Sequence, residues 1–246
     1  MLLGAGAKRY LIAAVGGATM TAALICGGQP ATFALSAPVG RMAITSPPVK
    51  PDCRATTDIR GGTRKDTPFT VCGIPVISME HRVSAAYLPQ LVTVPVARSG
   101  VRDVRLQRPV GEALVQLVKA AKQAGHTLEV RSAYRSYEQQ RAAYQLDRAL
   151  TAPPGASEHQ SGLSVDLSAI SCGRAIRGYS FGSSAAGRWT ARHAAEYGFI
   201  VRYPAAQKAI TGFSHEPWHL RWVGVQAANG VLAVPTGTLE RYLRIG

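Results

Sequence analysis

Pro217 constrains this chain more than any other single residue. It lies within His215-Glu216-Pro217-Trp218-His219, which spells H-E-x-x-H, a pattern that on a helix sets two histidines one turn apart for a metal ion. Proline disfavours helical backbone at the residue before it and is tolerated only in a helix's first turn. The residues that follow alternate, His219 and Arg221 against Leu220 and Trp222, as in a strand. The helical reading therefore fails. Glu216 and His219 are expected at a bend entering a strand, with His215 outside any metal site.

A second stretch, "GASEHQSGLSVDLS" (155–168), alternates as well: Leu163, Val165 and Leu167 face one way, Ser164, Asp166 and Ser168 the other. Asp166 thus projects from the face opposite the apolar residues. His159 falls in the turn before the strand, where Gly162 permits a sharp change of direction. A lone His–Asp pair is more often a structural hydrogen bond than a metal site. The 215–219 stretch changes those odds, because a catalytic zinc takes three protein ligands and keeps one position open.

The rest of the chain supplies the frame. Leu114, Leu117, Val118 and Ala121 share one face of a helix over 111–124, with Gly125 as its stop. "TLEVRSAY" (127–134) reads as a strand. Ser136 with Gln139 forms a capping box for a helix running to about Leu150. A helix over 188–197 ends at Gly198, and strands follow at 199–203 and 219–224. Few helices and short strands without strict βαβ alternation indicate the α+β class. With 246 residues, 46% hydrophobic and 17% charged, a packed core is within reach and global disorder is excluded.

Residues 1–36 read as a signal peptide or membrane anchor. Lys8 and Arg9 precede a mostly apolar run, Tyr10–Cys26, and Ala34-Leu35-Ser36 offers small residues for cleavage. Bulky Ile25 argues against a lipid anchor on Cys26. Residues 37–77 read as a proline-rich linker followed by a Cys-containing segment, and a compact domain is expected over 78–246. Cys53 and Cys72 are candidates to pair in an oxidising compartment, leaving Cys172 single; Cys72 with Cys172 is the alternative. The formal charge of +14 calls for an anionic neighbour. No RNP, zinc-finger or basic-helix pattern accompanies it, so nucleic acid is disfavoured. The export segment points instead to a secreted, extracytoplasmic protein near anionic wall polymers, touching membrane only through an uncleaved N-terminus.

Four stretches together carry a resemblance. "SEHQSGLSVD" fits S-x-H-x-x-G-x-A/S-x-D, "EPWHLRW" fits E-x-W-H, and "SAYRSYEQQ" (132–140) and "WTARHAAEYGFIVRYP" (189–204) stand in matching order. The chain resembles the D-alanyl-D-alanine carboxypeptidases of the vancomycin-resistance and LAS-type zinc metallopeptidase family, over roughly 78–243. Ser164 departs from the family's usual alanine, and Ser214-His215 replaces more apolar residues. The resemblance implies a small antiparallel sheet with flanking helices, as in hedgehog and D,D-peptidase-like zinc peptidase domains. It implies one zinc ion per chain on His159, Asp166 and His219, with Glu216 as general base and Arg135 stabilising charge near the scissile bond. Ser157, Gln140 and Trp218 match substrate-contacting positions, Trp218 being equally suited to core packing. The implied substrate is a peptidoglycan stem peptide losing its terminal D-alanine. L,D-carboxypeptidase, D,D-dipeptidase or endopeptidase action on the same zinc site is the near alternative, and a non-catalytic cell-wall-binding module the remote one.

Overall fold

The computed structural model describes residues 66–149 and 151–245. The export segment, the proline-rich stretch, Cys26 and Cys53 lie outside the described residues. In chain order the elements are β1 (Phe69–Val71), β2 (Ile74–Val76), β3 (Val92–Thr93), β4 (Arg105–Leu106), α1 (Arg108–Gln123), β5 (Thr127–Ser132), α2 (Tyr137–Leu146), a 3-10 turn (Glu158–Ser161), β6 (Ser164–Ser171), β7 (Arg174–Ile176), α3 (Gly178–Ser183), α4 (Ala185–His193), a second 3-10 turn (Ala194–Tyr197), β8 (Phe199–Tyr203), α5 (Lys208–Thr211), β9 (Glu216–Trp222), α6 (Val225–Ala233) and α7 (Leu239–Leu243). None of the described helices is long and apolar enough to cross a membrane.

Five strands form one antiparallel sheet in the order β5-β6-β9-β8, with β7 also paired to β6. This is the α+β arrangement read from the sequence. Its two faces follow from alternation. Leu128, Val130, Val165, Leu167 and Leu220 point to one side and are fully buried with Val110, Leu114, Leu117 and Ala121 of α1. Each such leucine contributes about 1.5–3 kcal/mol by leaving water. The opposite face carries Ser132, Asp166 and His219, which the strand register sets side by side: Ser132 is opposite Asp166, and Asp166 is opposite His219.

The capping box at the start of α2 is present. Ser136 Oγ accepts from the Gln139 amide at 3.2 Å, and Gln139 Oε1 accepts from the Ser136 amide at 2.8 Å. The helix stops at Leu146 rather than near Leu150, because Asp147 turns to extended backbone. The hairpin β1–β2 is part of the packed body: Phe69, Val71 and Val76 share a second buried cluster with Ile200, Val231, Leu239 and Tyr242. Among the described residues neither Cys72 nor Cys172 is a free thiol, which overturns the reading that leaves Cys172 single and agrees with the alternative that pairs it.

Candidate metal centre

Two bulges aim the site. In a regular strand residues three apart face opposite ways, which would separate Glu216 from His219. Here Leu220 pairs with Val201 and Glu216 with Tyr203, so residues 217–219 of β9 stand opposite Arg202 alone. The excess bends the strand and turns both side chains to one side, leaving Glu216 Oε2 3.9 Å from His219 Nδ1. Pro217, with no N–H to give a ladder, suits such a bulge. The second bulge lies in β5, where Val130 faces Leu167 and Ser132 faces Asp166, with Arg131 inserted between. It directs the following residues over the site: the Ala133 carbonyl accepts from His159 Nδ1 at 2.7 Å, and the Arg135 amide donates to the His159 carbonyl at 3.1 Å. Gly162, left-handed at φ 68°, turns the chain between His159 and β6.

His159, Asp166 and His219 therefore converge, each offering a ligand atom within 4.8 Å of the others. His159 Nε2 lies 3.3 Å from Asp166 Oδ2, and His219 Nδ1 lies 2.9 Å from Asp166 Oδ1. Burial and the Arg135 charge keep His159 neutral more firmly than an ordinary histidine, although Asp166 opposes them. Burial alone would raise Asp166, but the two imidazoles hold it well below the usual carboxylate range. His219 is also buried, which disfavours charge; hydrogen bonds to Asp166 and Glu158 overrule this and push it up to about 9. Both of its ring nitrogens face carboxylate oxygens. The cluster thus calls for positive charge between His219 and Asp166, and a divalent cation on two imidazoles and a carboxylate supplies it. These residues fit zinc.

Glu216, at the start of β9, is raised above the ordinary carboxylate value by burial and by Asp166 and Glu158, with His219 and Arg135 acting against them. Arg135 sits between β5 and α2, its Nη2 donating to Ser132 Oγ at 3.2 Å, and it interacts electrostatically with Asp166 and Glu216. Ser157 is buried at the N-cap of the turn that carries His159. Gln140 on α2 is buried; its Nε2 donates to the Ala152 carbonyl at 2.6 Å, while its Oε1 has no protein partner. Trp218 packs against the main core and meets Tyr179 edge-on at 5.3 Å. Among the described residues no hydrogen bond joins Gln140 or Trp218 to the three ligands. His215 stays outside the cluster, its Nδ1 donating to the Tyr203 carbonyl at 2.9 Å. His81, His126 and His193 lie outside it too.

Glu158, Arg202, Arg221 and Glu240 were not legible as functional. All four are buried, and Glu158 lies 3.4 Å from His219 Nε2. One signal pointed to them: Arg221 shares the face of His219 by alternation, and an arginine on a buried face requires a carboxylate.

The family described as VanY, D-alanyl-D-alanine carboxypeptidase, matches residues 103–225, half of the chain and all of the metal cluster. The chain belongs to this family. Among curated relatives, the putative carboxypeptidase YodJ of Bacillus subtilis is 34% identical over 182 residues, 69% of this chain and 66% of that protein. The bifunctional D-Ala-D-Ala dipeptidase and carboxypeptidase VanXYC of Enterococcus gallinarum is 33% identical over 63% of this chain and 84% of its own. Against the D-alanyl-D-alanine carboxypeptidase of Enterococcus faecium the match spans only 45% of the relative. Among solved structures, the LdcB LD-carboxypeptidase superposes with a TM-score of 0.63 at 32% identity, covering 72% of this chain and 93% of that one. A mutant of the D,D-pentapeptidase VanY in complex with Zn(II) gives 0.56 at 30%, covering 68% and 97%.

Proposed function

We propose that this protein is a secreted, zinc-dependent carboxypeptidase that removes the terminal D-alanine from peptidoglycan stem peptides. One observation carries the reading: His159, Asp166 and His219 converge within 4.8 Å with Glu216 beside them and Arg135 facing both carboxylates. When bound, zinc supplies a Lewis acid that acidifies water and polarises a carbonyl. The chain's own groups do the rest. His159, Asp166 and His219 hold the ion. Glu216, whose raised affinity for protons suits a general base, takes the proton of the attacking water and passes it to the leaving amine. Arg135 stabilises the negative charge that gathers on the scissile carbonyl oxygen, as a preorganised cation does. Ser157 and Gln140 take the substrate-contacting role that the family resemblance implies for their positions. Trp218 forms part of the wall.

A second reading keeps this chemistry and changes the bond. The LdcB LD-carboxypeptidase superposes better than the VanY mutant, 0.63 against 0.56, which favours testing L,D- alongside D,D-specificity. Purified protein is first assayed for metal content, with one zinc per chain expected. It is then incubated with muropeptides ending in D-Ala-D-Ala, ending in D-Ala after a diamino acid, or crosslinked. Loss of one alanine mass from the first set supports the main reading, and loss only from the second supports the L,D reading. No mass change on any set contradicts both and leaves a binding module.

A further inference from the structure

Buried charge beneath His219 exceeds what three ligands require. Glu158 is 1% exposed, Arg202 1% and Arg221 0%, and apolar residues of similar volume would often pack such a space at no loss of stability. The connections show what the charges do. Glu158 Oε1 accepts from Arg202 Nε at 2.8 Å and from an Arg221 Nη at 2.9 Å. That leaves Oε2 to accept from Ser164 Oγ at 3.2 Å and to face His219 Nε2 at 3.4 Å.

We propose that Glu158 is a positioning residue: it accepts the Nε2–H of His219 and so fixes the ring with its Nδ1 lone pair aimed at the space shared by His159 and Asp166. The inference rests on the zinc reading above. The two histidines then present opposite nitrogens, because the Ala133 carbonyl can only accept and assigns His159 its proton at Nδ1. Ligating histidines commonly give their other N–H to a carboxylate, and losing that partner costs about 10–100-fold in metal affinity or activity.

Glu158 is itself clamped from both ends of the fold. Arg202 is held by Glu240 of α7 through two bonds of 3.0 and 2.6 Å. Arg221 donates its other Nη to the Pro75 carbonyl of β2. Residues 75 and 240 both lie outside the stretch 103–225 that matches the family. The N-terminal hairpin and C-terminal helix thereby belong to the support of the metal ligand. Ser164, standing where the resembled family usually has alanine, adds a donor to the same carboxylate.

Zinc-loaded protein labelled with 15N in histidine is examined by long-range 1H–15N correlation. His219 is expected to carry its proton on Nε2 and His159 on Nδ1; a proton on Nδ1 of His219 overturns the proposal whatever any variant does. Metal-free wild type, Glu158→Gln and Glu158→Asp are then titrated with Zn2+ against a chromophoric chelator, with thermal unfolding checking the fold. Glutamine keeps the reach and loses the charge; aspartate keeps the charge and withdraws the oxygen by one methylene. Each is expected to bind zinc about 10–100-fold more weakly, with shifted d–d bands in the cobalt-substituted form. Glu240→Gln, which loosens only Arg202, is expected between wild type and Glu158→Gln. Folded Glu158 variants that match wild type in affinity and spectrum overturn the inference and leave the zinc site standing. Wild type that takes up no zinc overturns both.

Discussion

Asp166 and His215 divide the two readings of the H-E-x-x-H stretch. Asp166 lies between two imidazoles, whereas His215 bonds a backbone carbonyl. Asp166→Ala is therefore expected to lose zinc and His215→Ala to keep it, as metal analysis of the purified variants shows; the reverse pattern would mean that the ligands are wrongly assigned. Glu216→Gln keeps shape and removes the base. It is expected to retain zinc and fold while kcat drops about 10²–10⁴-fold, the range of a general base, read by mass spectrometry of muropeptide products. His159, Asp166, His219 and Glu216 were legible through the motifs that carry the family resemblance, with which the local patterns agree: alternation around Val165, a turn at Gly162, a proline at 217. Glu158 was not, although it adjoins His159. Its partners Arg202 and Arg221 are 44 and 63 residues away, and no local period encodes such a pairing.

Strand bulges decide whether those residues meet. Four of the sheet's five strands were read from the sequence and the short β7 was not, but alternation alone places Glu216 and His219 on opposite faces. The bend expected at Pro217 is the excess of residues 217–219 over Arg202. What holds it from outside is α3: a Cβ built on Gly182 would stand 2.5 Å from the Pro217 Cβ, closer than carbon atoms pack. Gly182→Ala must displace one of them. Because a 1 Å misplacement in a site costs about 10²-fold, this variant is expected to lose roughly 10–100-fold in kcat/KM with zinc content unchanged. Full activity in Gly182→Ala would show that the bulge tolerates the shift. The hairpin at 69–76 falls in the Cys53–Ile77 segment read as a hairpin or loop, but its place in the core was not legible. Its role lies in packing against α6 and α7, which are distant in sequence.

The buried ion network ties the domain together and sets its response to acid. Burial alone would raise Glu158, but Arg202 and Arg221 hold it far below its ordinary value of 4.5. A depressed carboxylate contributes stability that is fully present above its unfolded value and is lost as pH falls toward its folded one. The metal-free protein is therefore expected to lose stability progressively below about pH 4.5 in denaturant titrations, and Glu158→Gln, weaker at neutral pH, to show a shallower acid slope. The surplus of basic residues, part of a formal +14, is expected to hold the protein to anionic wall polymers through attraction that salt screens; binding unchanged between low and high salt contradicts that attachment. The proposed chemistry depends on one cation shared by three side chains. Crystals grown with zinc, measured on both sides of the zinc absorption edge, locate that ion directly. A single anomalous peak among His159 Nε2, the Asp166 carboxylate and His219 Nδ1 is the expected result; no peak there at full zinc loading, or one at His215, contradicts the account.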